Sequence, residues 1–394
     1  MKAAISPEVL AVRDEAVRFR REIHQWPELG FEETRTAALA AKTLRRLGLR
    51  VKTGVAKTGV VGLLQGGRPG PTLLIRADMD ALPVTEETGA PYASRRPGRM
   101  HACGHDAHVA ISLGAAHILA AERKFLPGRI KFIYQPAEES PGGALPMIQA
   151  GVLGAPKVDA AIALHMWNDL PTGSLGVRTG ALLACTDRFE ITIVGKGGHG
   201  AAPHQSIDPI VAASEVVSAL QTIPSRVVSP LEPVVVSVCQ IHGGTAFNVI
   251  PSRVTLAGTV RTFSRDLRRR LPKMMEEVVR GVTSAHRARY EFRFDTHYPS
   301  TVNDVAMTAL VRDQANRVVG ERNVSEDVRT MGGEDMSYFL ERVPGCFFFV
   351  GSAHPRKGAP GPHHSARFDI DEDSIPVGIE MLVRCARAYL DSPP

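Results

Sequence analysis

Residues 106–134 begin with the segment DAHVAISLGAAHILAAE (106–122) and end with the segment IKFIY (130–134). The first segment has the length and apolar spacing of a helix, and the second is a short apolar run of strand length. Other apolar runs of strand length and other segments of helical spacing alternate along the chain, at 7–48, 72–75, 143–151, 160–164 and 346–350. This alternation predicts a mixed α/β fold with a largely parallel sheet.

A different order of elements predicts a second domain in residues 186–296. The segments there are a strand, a helix, two strands, a helix and a strand, at 189–194, 207–222, 234–241, 253–261, 266–285 and 290–294. A βαββαβ order is typical of a four-stranded antiparallel sheet with both helices on one face, as in the ferredoxin-like arrangement. We therefore expect a catalytic domain formed by residues 1–185 and 297–394, with residues 186–296 inserted as an α+β domain.

The overall composition is that of an ordinary folded protein, with 44% hydrophobic and 22% charged residues. A chain of 394 residues exceeds what one hydrophobic core usually supports, which agrees with two domains. No apolar run approaches the roughly 18 residues of a membrane span, and residues 1–21 resemble a charged helix more than an export signal. The five cysteines are scattered, which favours a reducing compartment, so we expect a cytoplasmic protein without a membrane partner.

The net charge does not indicate a nucleic-acid partner. The formal charge is +6, but the basic residues are dispersed along the chain. No recognised nucleic-acid-binding motif accompanies them, so a solvated basic surface is the preferred interpretation. A serine hydrolase is also poorly supported, because the sequence contains no Gly-x-Ser-x-Gly elbow.

Side chains of the types that bind metal ions follow several predicted strands. They are Asp78 and Asp80, Glu138 and Glu139, His165, and His363 and His364. Because the carboxyl ends of parallel strands lie at one edge of a sheet, these side chains are expected to converge. The densest group, residues 101–108, places Cys103 and His105 around Gly104, and a tight turn at this glycine would let the thiolate and the imidazole face one ion. The alternative is a buried cysteine among helix-capping residues, without a metal.

The adjacent carboxylates of Glu138 and Glu139 favour two different roles. One can bind a metal ion while the other takes a proton from the attacking water. A solvated acidic pair is the alternative. His165 alone could be a core histidine, and the pair His363-His364 is similarly ambiguous. The combined set provides five ligands, enough for the two ions of a two-metal hydrolase, namely Cys103, His105, Glu139, His165 and one histidine of the last pair.

Eight motifs occur in order over most of the chain. They are REIH with PEL (21–24 and 27–29), RADMDALP (76–83), HACGHDAH (101–108), QPAEE (135–139), GKGGH (195–199), FNVIP (247–251), GGED (332–335) and HSARF (364–368). On these motifs the chain resembles the hippurate hydrolase and auxin-conjugate hydrolase branch of the dinuclear aminoacylase/carboxypeptidase family. The resemblance covers about residues 15–385.

The resemblance implies a role for each matching residue. Two divalent ions would be held by Cys103, His105, Glu139, His165 and His364, with Cys103 as the bridge. The spacing to Phe368 selects His364 over His363. Glu138 would be the general base, and Asp80 would orient a ligand with Asp78 close by. His101, Asp106 and His108 would support the ligands.

The resemblance also gives the inserted domain a role as a lid and a dimerisation surface. His199 and Asn248 would reach the oxyanion or the carboxylate of the substrate, and a homodimer is expected. The motif at 332–335 borders the pocket in the family, whereas the residues alone also allow a loop that leads into a helix with Asp335 as its N-cap.

The implied activity is hydrolysis of the amide bond of small N-acyl or N-aroyl amino acids. Zinc, manganese, cobalt and nickel all suit the ligand set. Alternatives are a deacetylase for N-acetyl amino acids or N-acetyl-diaminopimelate, and a non-catalytic metal-binding protein with the same fold. Ala107 and Arg367 differ from the residues that are usual at these positions of the motifs, and the acyl preference stays open.

Overall fold

The computed structural model describes residues 3–354 and 361–394. The helices are α1 (Pro7–Gln25), α2 (Thr34–Arg46), α3 (His105–Ala121), α4 (Ala144–Gln149), α5 (Pro209–Leu220), α6 (Arg265–Ala285), α7 (Val305–Val319), α8 (Ser337–Leu340) and α9 (Ile375–Asp391). The strands are β1 (Arg50–Val55), β2 (Gly59–Gln65), β3 (Arg68–Asp78), β4 (Pro127–Gln135), β5 (Ala160–Pro171), β6 (Leu175–Gly176), β7 (Gly180–Leu183), β8 (Asp187–Val194), β9 (Gly198–His199), β10 (Val234–Gly243), β11 (Val249–Ile250), β12 (Arg253–Thr262), β13 (Arg289–Thr296), β14 (Thr301–Asn303), β15 (Val324–Ser325) and β16 (Gly345–Ala353).

One mixed sheet runs through the first unit in the strand order β1-β2-β4-β3-β5-β16-β6-β15. The central neighbours β4, β3, β5 and β16 are mutually parallel. The pairs β1-β2, β2-β4 and β16-β6 are antiparallel. The predicted α/β fold with a mixed sheet is confirmed, and its parallel centre brings the carboxyl ends of β3, β4, β5 and β16 to one edge.

Helix α3 lies in the core of this unit and carries part of the site at its first residue. Its apolar side chains point in every direction around the helix, and nearly all of them are buried. A helix that is apolar all round must be covered on all sides. Helices α1 and α9 and the sheet provide this cover, so the start of α3 is held in a fixed position.

The chain divides into two compact units. The second unit contains Leu183–Thr301 and Thr330–Glu334. Its sheet has the order β10-β12-β8-β13 with antiparallel neighbours throughout. Helix α6 contributes a stripe of buried side chains at four-residue spacing to a core separate from that of the first unit, namely Leu267, Leu271, Met275 and Val279.

No helix in residues 3–354 and 361–394 combines the length and the apolar composition of a membrane span.

Lys131 is a buried cation in the middle of β4. Its ammonium group donates hydrogen bonds to the carbonyl oxygens of Val152 (2.7 Å), Gly154 (2.8 Å) and Pro156 (2.8 Å). We expect Lys131→Met to lower the free energy of unfolding by about 3 kcal/mol, because three carbonyls lose a charged donor. Urea denaturation measures the loss. The same substitution at the exposed Lys52 of β1 should change stability by less than about 0.5 kcal/mol, and equal losses would contradict the argument.

Candidate metal centre

The candidate metal centre lies at the edge where the parallel strands end. Asp78 is the last residue of β3, and Glu138 and Glu139 follow β4 by three and four residues. His165 does not close its strand as the sequence predicted, because β5 continues to Pro171 through its pairing with β16. The imidazole of His165 is nevertheless buried at the same edge, within contact distance of the cysteine at the start of α3.

Gly104 forms the turn that presents two of the predicted ligands. Its φ of +101° lies in the left-handed region, which favours glycine. Helix α3 begins at His105, immediately after this turn, and Cys103 immediately precedes it. The thiol and the imidazole on either side of Gly104 therefore belong to the same cluster of buried donor atoms.

The structure brings all five predicted ligands together. Cys103 Sγ lies 3.4 Å from His165 Nε2, and Glu139 Oε1 lies 3.1 Å from His364 Nε2 and 4.0 Å from His105 Nε2. Two groups of donor atoms, each with internal separations within 4.8 Å, share Cys103. One group adds His105 and His165, and the other adds Glu139 and His364.

The hydrogen bonds of two histidines leave Nε2 available as a donor to a metal. His105 Nδ1 donates to the backbone carbonyl of Asp80 at 2.9 Å, and His165 Nδ1 donates to the backbone carbonyl of Met166 at 2.7 Å. A carbonyl only accepts, so in the neutral imidazole these bonds place the proton on Nδ1 and leave the lone pair on Nε2. Nε2 of His105 is buried and has no hydrogen-bond partner among the described residues, which fits a bound cation.

The electrostatics of the cluster also favour a cation. Burial, together with the charge of Glu139, raises the pKa of the Cys103 thiol well above its usual range. Burial alone would lower the pKa of His105, but the carboxylates of Asp78 and Asp80 outweigh it and raise this pKa to about 10. A metal ion would compensate the carboxylates and stabilise the thiolate, so the residues fit the metal that the ligand set implies.

Asp80 connects a ligand with the candidate base. Its carboxylate accepts hydrogen bonds from the backbone amides of Glu138 (2.9 Å) and Glu139 (3.0 Å). Its own carbonyl accepts the bond from His105 Nδ1. The sequence predicted that Asp80 orients a ligand, and in the structure it contacts the loop of the carboxylate pair as well as that imidazole.

Two of the three residues that were predicted to support the ligands, His108 and Asp106, have hydrogen-bond partners of their own. His108 Nδ1 donates to Asp78 at 2.6 Å, and His108 Nε2 accepts the amide of Met166 at 2.9 Å. Both nitrogens of His108 are therefore engaged. Asp106 accepts from Arg20 (2.9 Å) and from a ring nitrogen of the α1 histidine. The ring nitrogens of the predicted support His101 and of His363, by contrast, are buried without a hydrogen-bond partner among the described residues.

The prediction that Asp335 is a helix N-cap is wrong. Helix α8 begins at Ser337 with Met336 as its N-cap, and Asp335 is fully buried beside β4 instead. Its carboxylate accepts bonds from the Gln135 side chain (2.8 Å) and from Arg76 (2.9 Å). The same carboxylate accepts the backbone amides of Gly143 (3.0 Å) and Ala144 (2.9 Å), so it holds the start of α4 and the end of β4 instead of the start of α8.

Sequence reasoning missed a buried carboxylate near the candidate base. Glu33 Oε1 accepts the backbone amide of Ala137 at 2.8 Å, directly before Glu138. The only signal in the sequence was the acidic segment PELGFEE (27–33), which has no obvious link to residue 137.

His199 and Asn248 lie together within the second unit. Strand β9 ends at His199 and pairs with β11, and the Gly200 amide donates to the Asn248 carbonyl at 2.8 Å. Both side chains are exposed. The Ala201 amide donates to His199 Nδ1 at 3.0 Å, so a neutral His199 carries its proton on the outward Nε2.

The turn at Gly104 gives a testable prediction. A Cβ there would lie 3.1 Å from Cβ of Met166 and would have to tolerate the positive φ. We expect Gly104→Ala to weaken metal binding by about 10–100-fold, because Cys103 and His105 move apart. Titration with zinc measures the affinity. Gly98→Ala, also at positive φ but without an atom within 4 Å, is the control, and unchanged affinity in Gly104→Ala would contradict the prediction.

Known proteins resemble this chain in sequence. Residues 74–388 match the model of peptidase family M20/M25/M40. The chain is 40% identical over 376 residues to thermostable carboxypeptidase 1 of Saccharolobus solfataricus, covering 94% of each chain. It is 49% identical over 293 residues to the N-acyl-L-amino acid amidohydrolase of Geobacillus stearothermophilus, covering 74% of this chain and 79% of the relative.

A solved structure extends the likeness to nearly the whole chain. It is the Bacillus subtilis YXEP protein, a dinuclear metal-binding peptidase from the M20 family. The TM-score is 0.85 with 35% sequence identity, and the match covers 97% of this chain and 99% of that one. The chain therefore belongs to peptidase family M20/M25/M40 and is a metal-dependent hydrolase that acts on amide bonds.

Proposed function

We propose that the protein hydrolyses the amide bond of N-acyl amino acids, with aromatic acyl groups such as the benzoyl group of hippurate as preferred substrates. The observation that carries this proposal is the pair Glu138-Glu139, which forms one group of donor atoms with His105, while Glu139 forms another with Cys103 and His364. The 49% identity to an N-acyl-L-amino acid amidohydrolase supports the reaction class. The aromatic acyl group is proposed from the resemblance to the hippurate hydrolase and auxin-conjugate hydrolase branch, and the motifs themselves do not distinguish it from an acetyl group.

Two divalent ions would be held by the five residues that converge at the sheet edge. We propose Cys103 as the shared ligand, with His105 and His165 on one side and Glu139 and His364 on the other. Bound there, the ions supply Lewis acidity toward the amide carbonyl and toward water. Zinc, cobalt and nickel suit the thiolate and imidazoles, and manganese suits the carboxylate.

Glu138 is proposed as the general base. Its carboxylate takes a proton from the attacking water as the bond to the acyl carbon forms, and it returns that proton to the nitrogen as the amide bond breaks. The products are a free amino acid and a carboxylic acid. Asp80 supports this role, since its carboxylate holds the Glu138 amide and thereby fixes the backbone from which the base projects.

The inserted domain, residues 186–296, is proposed as a ferredoxin-like lid. Its contribution to the reaction would be hydrogen bonds from His199 and Asn248 to the oxyanion or to the substrate carboxylate. The proton on the outward Nε2 of His199 supports this assignment, because an oxyanion needs a donor.

A substrate screen tests the proposal. Enzyme reconstituted separately with zinc, manganese, cobalt and nickel is assayed with benzoylglycine, with N-acetyl amino acids and with unblocked dipeptides. We expect amino acid release with kcat/KM highest for the benzoyl substrate. Preference for an acetyl substrate would replace the aroyl assignment with a deacetylase. Stoichiometric metal without turnover of any substrate would favour a non-catalytic metal-binding protein.

Peptide hydrolysis is the second candidate, because the chain is also 40% identical to a carboxypeptidase over almost its whole length. The same screen separates the two functions. A kcat/KM for dipeptides above that for every acyl amino acid would favour a carboxypeptidase.

We also propose that two copies associate through the inserted domain. Ile210, Phe247 and Val249 are exposed apolar side chains that line one surface depression of the second unit, here termed the lid patch. Apolar surface of this kind is often buried in an interface. Ile210→Asp should convert a dimer into a monomer in sedimentation experiments. Leu231→Asp, at an exposed position outside the lid patch, should not, and a monomeric wild type would contradict the proposal.

The cytoplasm is the proposed location. All five cysteines are unpaired in the structure, which supports a reducing compartment.

A further inference from the structure

Three consecutive backbone amides at the candidate base each donate to a buried carboxylate. The amide of Ala137 donates to Glu33 Oε1 at 2.8 Å. The amides of Glu138 and Glu139 donate to the two carboxylate oxygens of Asp80, at 2.9 and 3.0 Å. The loop that carries the base is therefore held by two acidic side chains, and only one of them belongs to the metal-site motifs.

The backbone conformation of this loop requires such support. Ala137 has a φ of +52°, in the left-handed region that residues with a Cβ rarely occupy. A strained residue keeps its conformation only where the surrounding contacts fix it. Since Ala137 directly precedes Glu138, relaxation of this φ would turn the base away from its position.

Glu33 is oriented toward the loop and away from its own helix. It occupies the N-cap position of α2, but its side chain makes no capping hydrogen bond. Glu28 provides that cap instead, accepting the amides of Arg35 and Thr36 at 2.9 Å each. The carboxylate of Glu33 is thus free to contact the loop before Glu138.

A second contact fixes the Glu33 carboxylate itself. Its Oε2 accepts a hydrogen bond from the Thr58 hydroxyl at 2.5 Å, and the whole side chain is inaccessible to solvent. The same segment approaches the loop closely at Gly30. A Cβ there would lie 2.4 Å from the Ser140 carbonyl oxygen and 2.9 Å from Cβ of Ala137. The segment 28–33 therefore forms a rigid support beneath the loop.

We propose that Glu33 is a positioning residue for catalysis: by holding the Ala137 amide, it maintains the strained backbone that directs Glu138 at the substrate. This inference deepens the proposed function and rests on Glu138 as its base. Glu33 belongs to none of the groups of candidate metal ligands, so its expected effect is on the rate of proton transfer.

Three variants test the inference, with kcat, KM, metal content and thermal stability measured for each. Glu33→Ala should lower kcat by about 10²-fold, because the carboxylate of Glu138 is displaced by about 1 Å from the position in which it can accept the proton. KM and metal content should stay nearly unchanged. Glu33→Gln should recover most of the activity, since its amide oxygen can accept the Ala137 amide and its NH₂ can donate to Thr58. Asp304→Ala is the matched control: it removes the acidic N-cap of α7, whose side chain accepts the Met307 amide at 2.9 Å, and it should lower stability without lowering kcat.

Hydrogen exchange gives a readout that does not depend on activity. Glu33→Ala should accelerate exchange of the amides at 137–139, and Asp304→Ala should accelerate exchange only at the start of α7. The inference would be overturned if exchange at 137–139 were unchanged in Glu33→Ala. It would also be overturned if kcat fell in proportion to the loss of thermal stability in all three variants. A wild type without turnover of any acyl amino acid or dipeptide would instead contradict the proposed function.

Discussion

Glu138→Gln should lower kcat by about 10²–10⁴-fold while both metal ions stay bound. The amide of glutamine cannot accept a proton from water at neutral pH. The proton can then neither be removed from the attacking water nor be returned to the leaving nitrogen through residue 138. The five proposed ligands are untouched, and the backbone bond from residue 138 to Asp80 needs no side chain. Stopped assays with benzoylglycine, together with metal analysis of the purified variant, measure the two quantities.

Glu139→Gln is the matched control for this prediction. It makes the same chemical change at the adjacent residue, which lies 3.1 Å from His364 Nε2 and is a proposed ligand. We expect this variant to lose metal as well as activity. Near-normal turnover in Glu138→Gln would exclude Glu138 as the base, and metal loss in both variants would show that the two carboxylates share one role.

Cys103→Ala is expected to have the second largest effect. The thiol belongs to both groups of donor atoms, so its removal should weaken the binding of both ions. The loss of metal affinity should be larger than about 10–100-fold, which is the typical effect of substituting a residue that only orients a ligand. Competition with a chromogenic chelator measures the two affinities and shows whether they fall together.

The control for this variant is Cys346→Ala. Cys346 is also fully buried, but it lies in β16 outside the donor groups. Its replacement should cost stability through a small cavity and leave metal affinity unchanged. If Cys103→Ala lost only one ion and held the other at wild-type affinity, Cys103 would not be the shared ligand.

The central part of the sheet could be predicted because each of its strands is buried. The apolar runs at 72–75, 130–134, 160–164 and 346–350 lie within β3, β4, β5 and β16. Strand β1 escaped prediction because it is an edge strand, in which only Val55 is fully buried. The extended conformation of β1 depends on its pairing with β2, and the hydrophobic pattern of residues 50–55 alone does not indicate this pairing.

The convergence of the candidate ligands could be predicted because parallel strands end at one edge of a sheet, but the contacts that hold their loops could not. Glu33 lies 104 residues from the amide it holds, and Asp335 lies 200 residues from Gln135. A carboxylate in a sequence has no preferred distant partner. In the fold, each is buried, and a buried carboxylate must find donors wherever the chain brings them.

Asp80 imposes a constraint on how the enzyme can change. Its carbonyl sets the imidazole of His105, and its carboxylate sets the backbone of Glu138 and Glu139. The proposed metal ligand His105 and the proposed base Glu138 therefore both depend on Asp80 for their positions, and substitutions at residues bonded to Asp80 should combine non-additively in double-mutant cycles. Attempts to redirect the enzyme to new acyl groups should start at positions with no bond to this aspartate, such as the exposed Arg367.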